Sequence, residues 1–389
     1  MREKISLVKD TIEKDDIDAL IEWLKTYPRL TKGELTEKYE EKWSKWLGTE
    51  YAVFVNSGSS ALLMMLQAIK TLYPLKNNKI VIPQLAWATD LSSAMILNFE
   101  PILCDINLEN LSVSLEDLEA IFIEQEPSAL MLVSALGLSP YMDEIVRLCE
   151  KHDVILLEDV CESQGTKFND QKLGTFGLMS SFSTYFGHSM STIEGGMVCT
   201  NDKEIYNTLL QLRSHGWDRD LDHESQLDFR NKWAVDDFNA LYTFYIPAFN
   251  LRSTDIQAFI GLRQLDKIDE WLYLRNINFN YLTQYIGELN LWTPSPAKES
   301  FTASFCYPLI LENRDQKEKV VKALQENNIE CRPLISGSMG MQPMFINAYG
   351  EYSTPNSTKI DNCGIYIPNH PKLTPEEIIF MVDTIKSAL

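Results

Sequence analysis

The apolar positions of this chain change period along its length. YAVFVNS, KIVIPQ, PILCDI, ALMLVSAL, VILLEDV and FSTY are short, nearly continuous apolar runs, as expected of strands buried on both faces. SGSSALLMMLQAIKTL, LEDLEAIFIEQ and YMDEIVRLCEKHD lie among them with helical spacing. Alternating strands and helices predict βαβ units and a mainly parallel sheet covered on both faces. Upstream, Ile17, Leu20, Ile21 and Leu24 share one helical face, and TEKYEEKWSKWLG predicts a second helix that stops at Gly48.

The pattern changes near residue 250. STDIQAFIGLRQLDKIDEWLYLRNINFNYL keeps helical spacing with no strong breaker. Beyond it, FCYPLILE, IECRPL and GIYIPN predict strands, and DQKEKVVKALQENN predicts a helix. LTPEE opens the last helix: Thr374 is the expected N-cap, Pro375 the first helical residue, and Glu377 completes a capping box. The expected organisation is a large α/β domain with N-terminal helices over 1–250. A linking helix and a small α+β domain follow over 251–389.

Composition narrows the classes. An apolar fraction of 45% and a charged fraction of 23% are those of an ordinary globular protein. The formal net charge of −20 argues against a nucleic-acid partner, which needs a basic face. An anionic small substrate stays open, because a few arginines can invert the sign within a cleft. No apolar run approaches the roughly 18 residues of a membrane span. The charged start, MREKISLVKDTIEKDD, has no secretory h-region. The seven cysteines are dispersed without a CxxC pair. They predict reduced, core-packing thiols in a cytoplasmic protein, with no metal site and no iron–sulfur cluster.

Four segments carry candidate chemistry. In NSGSSA, between a strand and a helix, the Gly58 and Ser59 amides and the Ser59 hydroxyl are placed to hold an anion such as phosphate. A simple helix cap is the alternative there. In PQLAWATD, Trp87 follows a strand, where open α/β sheets collect ligands, so its indole either stacks on a heteroaromatic ring or packs in the core. In VILLEDVCESQG, Glu158, Asp159 and Glu162 end a buried strand and need partners. A protonated pyridine nitrogen would suit Asp159; the alternative is a solvated loop. In SSFSTYFGHSMSTIEGGM, Ser183 is a second candidate phosphate ligand, and Gly195 and Gly196 permit a tight turn or close approach.

These segments occur in a fixed order. Together with FNLRSTDIQAFIGLRQL, they resemble the fold-type I pyridoxal-phosphate enzymes, and specifically their nucleotide-sugar aminotransferase and dehydratase family. The resemblance covers nearly the whole chain. It implies that Ser59 and Ser183 hold phosphate, Trp87 covers the cofactor ring, Asp159 meets the pyridine nitrogen, and Glu162 lies near the ring hydroxyl. It implies too that Asn250 reaches the phosphate of a neighbouring subunit, hence a homodimer with shared active sites.

The family's cofactor-anchoring lysine falls on His188, and no lysine lies between Lys172 and Lys203. Within the family, histidine at this position marks the sugar 3-dehydratases, and RSHGWDRD, with His215 and Arg219, adds to that likeness. Imidazole cannot tether the cofactor covalently, yet it can move protons near neutral pH. The resemblance therefore implies non-covalent pyridoxal or pyridoxamine phosphate, L-glutamate as amino donor, and His188 as the base. The C3 hydroxyl of GDP-4-keto-6-deoxy-D-mannose is then the expected leaving group. Other readings are another nucleotide-linked 4-keto-6-deoxy sugar, or a non-catalytic relative that binds the cofactor. His215 is a candidate second acid/base or sugar ligand. Arg219 and Arg252 are candidates for the nucleotide diphosphate or the glutamate carboxylate, or for surface ion pairs.

Overall fold

In the computed structural model, which describes residues 3–297 and 300–389, the apolar runs become strands β1 (Tyr51–Val55), β2 (Lys79–Pro83), β3 (Glu100–Cys104), β4 (Ala129–Val133) and β5 (Ile155–Asp159). A two-stranded hairpin, β6 (Lys167–Phe168) and β7 (Gln171–Lys172), follows, then β8 (Met179–Ser183) and β9 (Gly196–Thr200). Seven of these form one sheet in the order β1-β9-β8-β5-β4-β2-β3. The strands from β3 to β8 run parallel, and β9 is antiparallel to both β8 and β1. The sheet is therefore mainly parallel, as expected. The strand β9 was not anticipated, because its two leading glycines read as a turn.

Alternation along each strand divides the core. Val53, Val55, Ile80, Ile82 and Met131 face one layer, which holds α3 (Gly58–Leu72), α4 (Ala88–Ile96) and α7 (Lys203–Arg213). Ala52, Phe54, Val81, Leu130 and Leu132 face the other. That second layer includes α2 (Glu34–Leu47), α5 (Leu115–Gln125) and α6 (Met142–His152). Each fully buried aliphatic or aromatic side chain contributes about 1.5–3 kcal/mol. Helix α2 stops at Gly48 in the left-handed conformation, as its sequence predicts. The first helix, α1 (Lys14–Leu24), leaves Ile17 and Ile21 exposed, so half of its expected apolar face has no cover within the chain.

The long helical stretch after residue 250 is two helices, α9 (Asp255–Leu265) and α10 (Ile268–Gly287), which follow α8 (His223–Trp233). The break at Asp266–Lys267 has no glycine or proline to announce it. Long-range ion pairs pin it instead: Lys42 holds Asp266, and Lys267 holds Asp15 and Asp16. A three-stranded antiparallel sheet, β10 (Tyr307–Ile310), β11 (Arg332–Pro333) and β12 (Gly364–Ile367), is built in the order β10-β12-β11. Around it lie α10, α11 (Arg314–Glu326), α12 (Pro343–Tyr349), α13 (Pro355–Cys363) and α14 (Pro375–Ala388). Helix α14 opens with the expected capping box: Thr374 accepts from Glu377 N, and Glu377 from Thr374 N. The N-terminal segment joins this unit, where Ile5 pairs with Ile329. No helix among the described residues is long and apolar enough to cross a membrane.

Candidate active site

The parallel strands β2, β5 and β8 deliver their carboxyl ends to one edge of the sheet, and the functional segments follow those ends. Helix α3 begins there. Ser57 is its N-cap and accepts from Ser60 N at 3.1 Å. Gly58 N and Ser59 N donate to no protein acceptor among the described residues. The Ser59 hydroxyl reaches Thr89 Oγ1 at 3.4 Å. A Cβ at Gly58 would lie 2.6 Å from Ser183 Cβ and 3.1 Å from Cys161 Sγ. Only glycine lets the helix start approach the end of β8 this closely. The result is an open helix N-terminus beside the Ser59 and Ser183 hydroxyls, an anion seat in form and polarity.

Trp87 is the N-cap of α4 and is 58% exposed, so it is no core residue. The adjacent carboxylates of β5 diverge. Glu158 turns into the structure and accepts backbone N–H groups from Gly174 (2.7 Å), Phe176 (2.8 Å) and Gly177 (2.7 Å), which makes it a structural anchor. Asp159 takes the opposite direction, and its Oδ1 accepts from Cys161 N and Ser181 Oγ, both at 3.0 Å. Burial raises the Asp159 carboxyl against those donors. Glu162 Oε2 accepts from Leu136 N at 2.9 Å, and burial pushes the group up to about 7.

His188 sits in the loop between β8 and β9. Thr192 N donates to Thr184 O at 2.8 Å and Thr184 N to Gly195 O at 2.9 Å, closing the loop at its neck. His188 N donates to Tyr185 O at 2.9 Å. Ile193 holds a φ of +73°, costly by about 1–3 kcal/mol for a β-branched residue and typical of functional loops. The imidazole packs 5.4 Å from the Phe305 ring, and its Nδ1 is buried without a partner. Arg275 on α10 donates to His188 O at 3.5 Å. Burial, and then the Arg275 charge, lower His188 to about 4. The ring is therefore a neutral base at physiological pH.

A second cluster gathers His215, Arg219, Asn250 and Arg252. His215 N donates to Phe249 O at 2.7 Å, and its Nε2 lies 3.5 Å from Arg252 Nη2. Arg252 Nε donates to Asn250 Oδ1 at 3.0 Å. Arg219 stacks over Trp217 at 4.1 Å and Tyr242 at 5.2 Å and donates to Leu241 O. Neither Arg219 nor Arg252 is in an ion pair with a carboxylate among the described residues, although both were candidates for one. Asn56 N donates to Leu251 O at 3.0 Å, which holds this segment beside the strand leading into Ser57. No hydrogen bond or ring contact joins this cluster to His188 among the described residues.

The chain matches the DegT/DnrJ/EryC1/StrS aminotransferase family over residues 10–386. It belongs to that family. This DegT/DnrJ/EryC1/StrS chain is 30% identical over 364 residues to the GDP-4-keto-6-deoxy-D-mannose 3-dehydratase of Escherichia coli O55:H7, covering 92% of itself and 93% of that protein. It is 26% identical to the GDP-perosamine synthase of Escherichia coli O157:H7, over 91% of itself and 90% of that protein. The solved structure of the Escherichia coli GDP-4-keto-6-deoxy-D-mannose-3-dehydratase with bound hydrated PLP superposes with a TM-score of 0.88 at 27% identity. It covers 99% of this chain and 100% of that one. A structure of a GDP-4-keto-6-deoxymannose-3-dehydratase with a trapped PLP-glutamate geminal diamine gives 0.87 at 27% identity, over 98% and 100%.

Two residues of this family member escaped the sequence reading. Asp90, fully buried, accepts from Trp87 N at 3.0 Å. Its position three residues into a helix was a legible signal for a capping acid, but not for its second neighbour, Asp159. Arg275 is the other, and nothing in its local sequence separates it from a surface helix arginine. Among the described residues no group of three or more His, Cys, Asp or Glu side chains is placed to hold a metal ion.

Proposed function

We propose that this protein is a pyridoxamine-phosphate-dependent sugar 3-dehydratase that removes the C3 hydroxyl of GDP-4-keto-6-deoxy-D-mannose as water, with L-glutamate as amino donor leaving as 2-oxoglutarate and its nitrogen released as ammonia. The observation that carries the proposal is His188: a neutral, half-buried imidazole lies in the loop between β8 and β9, at the position to which the family resemblance assigns the aminotransferases' cofactor-anchoring lysine. The likeness to 3-dehydratases over more than nine-tenths of the chain supports the reaction class.

The residues fit the cofactor. Open amides at Gly58 and Ser59, with the Ser59 and Ser183 hydroxyls, suit its phosphate; the exposed Trp87 indole suits the ring face; Asp159 suits the ring nitrogen and Glu162 the ring hydroxyl. When bound, pyridoxamine phosphate supplies the amine that joins the C4 ketone and a ring that draws electrons from it. His188 would take up a proton at the cofactor's C4′ carbon and, once protonated, would donate it to the departing C3 hydroxyl, which leaves as water. Asp159 keeps the ring nitrogen protonated by its negative charge. With no amine at position 188 to form a covalent tether, the phosphate contacts, the Trp87 stacking and the Asp159 pairing would alone hold the cofactor.

The exposed apolar face of α1 and the separate His215–Arg252 cluster support a homodimer in which Asn250 and the arginines complete the partner's site. The functional test is mass-spectrometric product analysis with pyridoxamine phosphate, L-glutamate and GDP-, CDP- or dTDP-linked 4-keto-6-deoxy sugars. Loss of one oxygen from the GDP sugar is expected. Retention of C3 oxygen with gain of an amino group would mean an aminotransferase instead.

A further inference from the structure

The site contains a buried carboxyl pair. Asp90 is fully buried at the third position of α4, and Asp159 is buried at the end of β5. Asp90 Oδ2 accepts the Trp87 N–H at 3.0 Å. Asp90 Oδ1 is buried with no donor facing it. The side chains of Asp90 and Asp159 lie within hydrogen-bonding reach of each other. The titratable groups acting most strongly on the pair are the Cys161 thiol and the Glu162 carboxyl, and among the described residues neither aspartate is in an ion pair with a lysine, arginine or histidine.

Two adjacent carboxylates in a buried setting without a cation cannot both stay ionised, and the pair keeps one proton. The donors decide where it resides. Asp159 already accepts from Ser181 Oγ and Cys161 N. Asp90 accepts one backbone N–H and has an orphaned oxygen. The charge therefore belongs on Asp159 and the proton on Asp90. Burial, then the Asp159 charge, raise Asp90 well above the ordinary carboxylate range, in agreement with that assignment.

We propose that Asp90 is a positioning residue, a neutral carboxylic acid that donates its O–H to Asp159 while its other oxygen fixes the Trp87 backbone. A single side chain then couples the aromatic that covers the cofactor ring to the carboxylate that meets its nitrogen. The inference rests on the cofactor-site reading of Asp159 and Trp87. The Asp90 donor makes Asp159 less basic, so the ring nitrogen keeps its own proton. No proton is released when the cofactor binds, because the one on Asp90 stays there.

The test uses the full-length chain. Infrared difference spectra of wild type minus Asp90→Asn at neutral pH should contain the carbonyl stretch of a protonated carboxylic acid. That band should shift in D₂O and shift again on adding pyridoxamine phosphate. Asp90→Asn keeps an N–H donor and a carbonyl acceptor, so pyridoxamine phosphate affinity, read by tryptophan quenching, should stay within about threefold. Asp90→Leu removes both, and affinity should fall roughly tenfold or more. Should Asp90→Leu not fold, the infrared result with Asp90→Asn still decides. Absence of a protonated-acid band from the difference spectrum overturns the inference, as does wild-type affinity in a folded Asp90→Leu. Unchanged affinity in Asp159→Asn would instead overturn the cofactor-site reading beneath it.

Discussion

Arg275 holds the backbone of His188: its Nη2 donates to the His188 carbonyl at 3.5 Å, while Nη1 donates to Phe305 O at 2.7 Å and Asn369 O at 2.5 Å. The guanidinium is buried, and burial lowers it to about 10. It has no carboxylate partner among the described residues. A cation fixed by carbonyls alone keeps its charge directed at its neighbours.

That charge predicts acid sensitivity. His188 is lowered to about 4 by burial and then Arg275, and His370 to about 3 by the same two causes in the same order. An unfolded histidine titrates near about 6.5. Between about pH 6.5 and the folded values, the unfolded chain binds more protons, so stability should fall as pH is lowered through that window. His188→Asn should lose its share of the slope in thermal melts. Arg275→Met should move the His188 imidazole titration upward by NMR. Melting curves of wild type and His188→Asn that run parallel down to about pH 4.5 would contradict the assignment.

Position 188 should choose between tethering and proton transfer. His188→Lys is expected to bond pyridoxal phosphate covalently, seen as a borohydride-fixed mass increase, and to lose C3 deoxygenation. His188→Asn should keep cofactor affinity while turnover drops about 10²–10⁴-fold, the usual worth of a general base. Undiminished deoxygenation by the lysine variant would remove histidine from the mechanism.

Adjacent carboxylates should behave differently. Asp159→Asn should weaken pyridoxamine phosphate binding by roughly 10–100-fold, the worth of a charge-assisted hydrogen bond, with little change in melting temperature. Glu158→Leu leaves one buried and two part-buried N–H groups without their acceptor and should destabilise the fold by about 2–4 kcal/mol, at roughly 1–3 kcal/mol for a fully buried orphan and less for the others. Equal effects of both on folding and binding would show that the strand end is not divided between the two tasks.

The proposed sharing of sites across a homodimer makes a stoichiometric prediction. His188→Asn and Asn250→Ala, each impaired alone, should regain activity when co-refolded, because a mixed dimer contains one intact site. Activity no higher than the sum of the separate variants would place Asn250 within its own subunit's site.

The sequence was most informative where one short segment carries both element and chemistry. Strand, NSGSSA and helix are contiguous, so the anion seat was legible, and so was the missing lysine. Asp90 was not, because its significance lies in Asp159, far along the chain and adjacent only after β2 and β5 share a sheet edge. Arg275 was hidden for the same reason, as were the break between α9 and α10 and the role of Glu158. Local patterns report propensity and burial; they do not report which distant backbone a buried donor will meet.

The contact between Gly58 and Ser183 has one more consequence. A helix start and a strand end that touch at van der Waals distance form a fixed gauge with no adjustable part. An anion held there, as proposed for the cofactor phosphate, would have a set address independent of what stands at position 188. The loop that carries His188 closes on its own neck at Thr184 and Thr192. Its central side chain can therefore be exchanged without rebuilding the seat. On the proposed function, such a division would separate the part that holds the cofactor from the single residue that sets the choice between amine transfer and oxygen removal.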